Sequence, residues 1–240
     1  MARPRRRLVM WLAGAAVALV VLVVGGAFIY IHFVSGPAPA PLSLKSAASP
    51  ATAQPSSPAP AQSRGAGGTL AGSWRVASGS VVGYRVDEVL AGQNNVAVGR
   101  TSTITGSMTI KASTVTAASF TVQMATIVSD ESQRDAQFSG RIMDTSTYPT
   151  GTLTLTSPVD LTPVPADGVI RTYHATANLT VHGLTRPVTF ALQAERTSAG
   201  IEVSGSIPIV FANWGISNPS FPPFVTTQNH GELEFLVKFS

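Results

Sequence analysis

The chain has 240 residues and no cysteine, which excludes a disulfide framework, a thiolate metal site and a cysteine nucleophile. Its formal net charge of +4 lies in the N-terminal part, in Arg3, Arg5, Arg6, Arg7, Lys45 and Arg64; from residue 73 onward ten bases face twelve acids, a net −2. No basic stripe interleaved with aromatics remains there, so nucleic acid is excluded as a partner.

Residues 1–7 read as a cytoplasmic basic tail. Residues 8–34 are 27 positions without a formally charged side chain, long enough at roughly 1.5 Å per residue to cross a hydrocarbon core of about 30 Å. The arginines before this run hold the N-terminus in the cytoplasm. The expectation is a single-pass cell-membrane protein whose C-terminal domain is extracytoplasmic. The apolar run is longer than the roughly 7 to 15 residues of a cleaved signal peptide, so a retained transmembrane signal anchor is favoured. Ala38-Pro39-Ala40 offers a small-x-small cleavage site, but Pro41 directly after it hinders a peptidase.

Residues 35–72 are a linker rich in Pro, Ala and Ser, without apolar periodicity. Such composition predicts a disordered, extended tether with a reach on the order of 100 Å.

From residue 73 the chain turns to short Val/Thr-rich segments punctuated by Gly, Pro, Asp and Asn. Phe120, Val122 and Met124 alternate, as do Leu153 and Leu155. Between Thr172 and His182, Tyr173, Ala175, Ala177, Leu179 and Val181 share one face, with Thr172, His174, Thr176, Asn178, Thr180 and His182 on the other. Val188, Phe190, Leu192 and Ala194 repeat the pattern. Ile201, Val203, Ile207, Ile209 and Phe211, then Leu233, Phe235, Val237 and Phe239, complete it. The expected fold is all-β, an antiparallel β-barrel of about eight strands over residues 73–240.

One segment departs from period two. Asp130 to Met143 offers Asp130 as an N-cap, Gln133 three residues on, and Phe138 and Ile142 four apart, predicting a short amphipathic helix that caps the barrel or acts as a lid.

No catalytic constellation emerges, and the chain is expected not to be an enzyme. His174 and His182 lie eight residues apart on one strand, on the order of 26 Å, too far for one metal or one proton relay. Both are expected to be solvated. The acids around Arg134 complement a helix N-terminus. No nucleophile elbow, His-Glu-x-x-His or phosphate loop occurs, so no metal and no cofactor are implied.

Several motifs occur in order: Ser129-Asp130-Glu131-Ser132-Gln133-Arg134-Asp135, Tyr148-Pro149, Asn178 through Val188 with His182-Gly183-Leu184-Thr185-Arg186-Pro187, Trp214-Gly215-Ile216, Pro219, and Gly231-Glu232-Leu233-Glu234-Phe235. With Trp74 they make residues 73–240 resemble the YceI-like, polyisoprenoid-binding domain family. The resemblance implies a lipocalin-like barrel with one short helix near its mouth and an isoprenoid or other long-chain lipid inside. The chain departs from the family pattern near its start. Ala77, Gly79 with Ser80, and Glu88 stand where many members have Asp, a His-Ser pair and His.

An open barrel would bind such a guest through burial of about 0.8 kcal/mol per methylene. Ten methylenes then give roughly 8 kcal/mol against association costs of about 4 to 15 kcal/mol. The candidate inner-face residues are Phe120, Val122, Met124, Tyr173, Leu179 and Phe190, with Leu192, Phe211 and Phe235. Phe138 and Ile142 would close the mouth. The small Ala175 and Ala177 on the same face favour a cavity. The expected function is a membrane-tethered protein that holds or transfers a long-chain isoprenoid-like lipid. The alternative is a non-catalytic structural or protein-interaction scaffold with a filled barrel. The residues name no protein partner.

Overall fold

The computed structural model describes residues 38–44, 70–90 and 92–240. The basic tail, the apolar run 8–34 and most of the linker lie outside the described residues. Among the described residues no helix is long and apolar enough to cross a membrane.

Among the described residues, twelve strands form one antiparallel sheet. They are β1 (Gly72–Arg75), β2 (Val81–Leu90), β3 (Gln93–Thr101), β4 (Ile104–Lys111), β5 (Thr114–Gln123) and β6 (Thr150–Leu155), then β7 (Val159–Asp160), β8 (Arg171–Val181), β9 (Leu184–Thr197), β10 (Gly200–Val210), β11 (Val225–Thr227) and β12 (His230–Phe239). The order across the sheet is β1-β4-β5-β6-β8-β9-β10-β12-β2-β11, with β3 on β2 and β7 on β5. The sheet curls until β1 approaches the end of β12. Arg75 and Ser240 exchange backbone hydrogen bonds of 3.0 Å, and Ala77 N–H donates to Lys238 O at 2.8 Å. A second seam joins Arg100 of β3 to Val128, beyond β5.

The sequence reading of about eight strands undercounts. Two of the extra strands are very short, and residues 81–111 carry three strands whose alternation is diluted by Asp87, Glu88, Asn94 and Asn95. Elsewhere period two maps directly onto burial. In β8, Ala175, Ala177, Leu179 and Val181 are buried, while His174 and Asn178 are exposed. Met124 and Phe211 sit just past strand ends, in 3-10 turns over Met124–Thr126 and Phe211–Trp214, and both are buried.

The expected helix over residues 130–143 is shorter and differently capped. α1 spans Ser132–Gln137, and its cap is Glu131, whose carboxylate accepts from Gln133 N–H at 3.3 Å. Asp130 instead binds Arg134 four residues on. Past Gln137 the chain widens into a π turn over Phe138–Ile142, with Met143 N–H donating to Phe138 O at 2.9 Å. Ser139 and Gly140 are weak helix formers, consistent with α-geometry ending there.

Candidate ligand cavity

The inner faces of the strands enclose a cavity of about 1320 Å³. This exceeds the roughly 300 to 1,000 Å³ of ordinary small-molecule pockets. At about 24 cal/mol per Å³, a dry void of this size would cost roughly 30 kcal/mol, more than the roughly 5 to 15 kcal/mol that stabilises a whole domain. Water through the mouth or an apolar guest must therefore fill it, and most of the wall offers water nothing to bond.

All eleven residues singled out from the sequence line this one cavity. Phe120 and Val122 project from β5, Tyr173 and Leu179 from β8, Phe190 and Leu192 from β9, and Phe235 from β12. Met124 and Phe211 stand on the flanking 3-10 turns, and Phe138 and Ile142 on the π turn. Phe190 meets Phe235 edge-on at 5.9 Å, and Phe120 meets Phe239 at 5.8 Å, as aromatic pairs prefer. Ala175 and Ala177 line it too, and small side chains there leave space.

Other wall residues escaped the sequence reading. Val82, Tyr84, Val86, Glu88 and Leu90 all point inward from β2, and Met108 and Ile110 from β4. The β2 signal was present as alternate residues, but Glu88 breaks its apolar face. Ile201, Val203 and Ile207 were recognised as alternating and also line the wall.

The lining continues onto exposed Gln133, Gln137 and Arg141 and onto Phe221 and Phe224, 67% and 51% exposed, so the cavity opens between α1 and the loop before β11. The two phenylalanine rings stack at 6.1 Å. Arg141 joins the two sides of the mouth, bonding Gln137 Oε1 at 3.0 Å and Pro219 O at 3.2 Å.

Just inside the mouth, Glu88 holds α1 in place. Its carboxylate pairs with Arg134 at 3.3 Å and accepts from Asn95 at 2.8 Å, while Arg134 also binds Asp130. Burial opposes the Arg134 charge, but Glu88 and Asp130 outweigh it and raise its pKa further. Beside them Tyr84 stacks on Phe138, with centroids 5.1 Å apart. Its hydroxyl pKa is pushed up to about 12, first by burial; Arg134 acts the other way and is outweighed with the help of Asp135, Glu88 and Asp130. The Tyr173 hydroxyl is buried without a hydrogen-bond partner, and burial raises its pKa. Both phenols stay neutral at physiological pH.

Over residues 74–239 the sequence matches the family described as the YceI-like domain. The chain belongs to this family. No curated protein matches it. Among solved structures it is similar to a polyisoprenoid binding domain from Saccharophagus degradans implicated in plant cell wall breakdown, at 18% identity and TM-score 0.57, covering 70% of this chain and 97% of that one. It is also similar to BcnA of Burkholderia cenocepacia, at 18% identity and TM-score 0.50, covering 65% and 96%. At these identities the likeness is one of fold.

Within the YceI-like domain the motifs fall into two groups. Asp130 and Arg134 belong to the mouth, and Asp135 braces it by accepting from Ser129 N–H at 2.8 Å and Oγ at 2.7 Å. Tyr148-Pro149, His182-Gly183, Arg186 and Trp214-Gly215-Ile216 instead meet in a structural knot. His182 is not simply solvated as expected. It leaves β8 into the turn at φ +50°, bonds Trp214 O through Nδ1 at 3.1 Å, and meets the Tyr148 ring edge-on at 4.6 Å. Gly183 follows at φ +74°, and a Cβ there would lie 2.5 Å from the Tyr148 ring. Arg186 Nε bonds Asn213 O. These residues hold the 3-10 turn that carries Phe211 to the wall.

Proposed function

We propose that this YceI-like domain holds a long-chain isoprenoid-like lipid in its cavity, on the outer side of the cytoplasmic membrane to which residues 8–34 tether it. The observation that carries the reading is the cavity itself, large, apolar and open at one end. A filled-barrel scaffold is hard to reconcile with 1320 Å³ of internal space. The description of the Saccharophagus degradans neighbour as a polyisoprenoid binding domain supports the same reading.

The chemistry follows from the wall. An isoprenoid tail displaces water that the apolar side chains cannot bond, gaining about 0.8 kcal/mol per buried methylene. Specificity comes from length and shape rather than charge, because the mouth arginine Arg134 is already paired on both sides. The protein binds its guest without transforming it. The inward titratable groups Tyr84, Tyr173 and Glu88 supply no nucleophile–base pair, and Glu88 is engaged with Arg134 and Asn95.

The test is lipid extraction from full-length protein purified out of native membranes, read by mass spectrometry. A stoichiometric polyprenyl or similar long-chain lipid is expected. Recovery of only bulk phospholipid, in the proportions of the membrane, refutes the proposal.

A further inference from the structure

On the outer face of the wall lies a second cluster of charge that cavity binding does not use. Glu234 points outward from β12, where a carboxylate should be solvated, yet it is 3% exposed. Arg100 Nε reaches it at 2.7 Å and Arg85 Nε lies at 3.6 Å. Arg100 crosses β2 because Gly83, between it and Glu234 in the register, has no side chain: a Cβ there would meet Gly99 O at 2.0 Å and Arg100 Cγ at 2.9 Å.

What covers this cluster is the chain's own linker. Leu42 N–H donates to Glu234 Oε2 at 3.1 Å, Ala40 O accepts from Arg100 at 2.5 Å, and Pro39 O accepts from Arg85. Pro41, Leu42 and Ser43 share a shallow groove with Thr172, Gln193, Ser204 and Ser206 of β8, β9 and β10, and Leu44 is buried to 4% exposure. Ser204, on the outer face of β10, is 2% exposed. Three buried or half-buried charges thus bind three backbone groups, Pro39 O, Ala40 O and Leu42 N–H, within four residues. The expectation of a mobile tether throughout residues 35–72 fails for this piece. Its composition cannot form a core of its own, but the wall supplies it with charged partners.

We infer that residues 38–44 are a docked strap, and that the leash between membrane and barrel is the stretch from residue 34 to residue 38. That stretch spans at most about 14 Å, against the order of 100 Å available if the whole linker were free. The strap keeps the barrel at the bilayer surface, where a lipid can exchange by contact rather than cross water. The leash length rests on the membrane-tether reading above; the docking itself does not.

Two measurements on the full chain separate these parts. In detergent micelles, hydrogen exchange of the 42–44 amides tests docking alone. At least tenfold protection in the wild type, lost in Leu44→Asp, is expected; exchange at the unprotected rate overturns the proposal. In vesicles of phosphatidylcholine and phosphatidylglycerol, a fluorophore on Ser198→Cys, a unique thiol in this cysteine-free chain, reports energy transfer to an acceptor lipid. Strong transfer that falls at least twofold in Leu44→Asp is expected. Equal transfer in both proteins overturns the short leash. A chain that does not float with the vesicles overturns the tether reading, and the leash with it, while exchange still decides the docking.

Discussion

The two faces of the β2–β3 hairpin solve opposite problems with the same device. On the inner face Tyr84 stands opposite Gly99, and a Cβ on Gly99 would lie 2.4 Å from the Tyr84 ring; on the outer face Arg100 stands opposite Gly83. Each glycine lets a large side chain lie flat across the neighbouring strand. Inside, the ring reaches Phe138 and helps seat the helical segment at the mouth. Outside, the guanidinium reaches Glu234 and a strap covers both. Each face also carries a carboxylate shielded from solvent, Glu88 mostly and Glu234 fully, and each carboxylate binds a segment of chain outside the strands. The lesson is that buried charge in this wall is used for fastening, and the apolar cavity surface is left for the guest.

If so, the outer carboxylate should matter more, because it has fewer substitutes. Glu234→Ala strands Arg85 and Arg100 together and is expected to cost about 3 kcal/mol in denaturant unfolding, the lower end of the roughly 3 to 5 kcal/mol for breaking a buried pair, since both arginines reach solvent. Tyr84 tests the inner face by pH. Its folded pKa of about 12 lies above the value near 10 of an unfolded tyrosine, so the native state holds the proton longer and its contribution to stability is lost as pH rises from about 10 to 12. Wild type should lose about 2 kcal/mol more than Tyr84→Phe over that interval, and equal pH profiles would show that the ring does not feel its burial. Ala177→Phe, at a wall position 1% exposed, places a ring in the guest's space. Lipid affinity should fall at least tenfold while the melting temperature changes little, whereas a solid core would be overpacked by about 1 to 3 kcal/mol. The smallest effect is expected for Glu88→Gln, about 1 kcal/mol, because the amide still accepts from Arg134 and Asp130 remains. Faster hydrogen exchange confined to α1 would identify the loss as loosening of the mouth.

The wall was legible wherever one face is uniformly apolar. β8 shows five alternate apolar positions in a row, and its placement followed from period two alone. β2 did not announce itself, because Glu88 interrupts its apolar inner face. The mouth was half legible. Phe138 and Ile142 four apart predicted a capping segment, but the partner that fixes Arg134 lies 46 residues away at Glu88, which no local pattern reveals. The cap moved from Asp130 to Glu131 for the same reason, since Asp130 is engaged by Arg134. The strap was invisible for a different reason. Composition measures what a segment can bury by itself, and residues 38–44 are held by Arg85, Arg100 and Glu234, which are supplied by β2, β3 and β12.

The proposed function requires the cavity to hold a long apolar chain by burying it along its length. Affinity of the full-length protein for polyprenols of increasing length, measured by displacement of a fluorescent lipid, tests this most directly. At least a tenfold gain is expected for each added isoprene unit until the cavity is full, then a plateau, with Ala177→Phe reaching that plateau at a shorter chain. Affinity that is independent of chain length, or unchanged by Ala177→Phe, would contradict it.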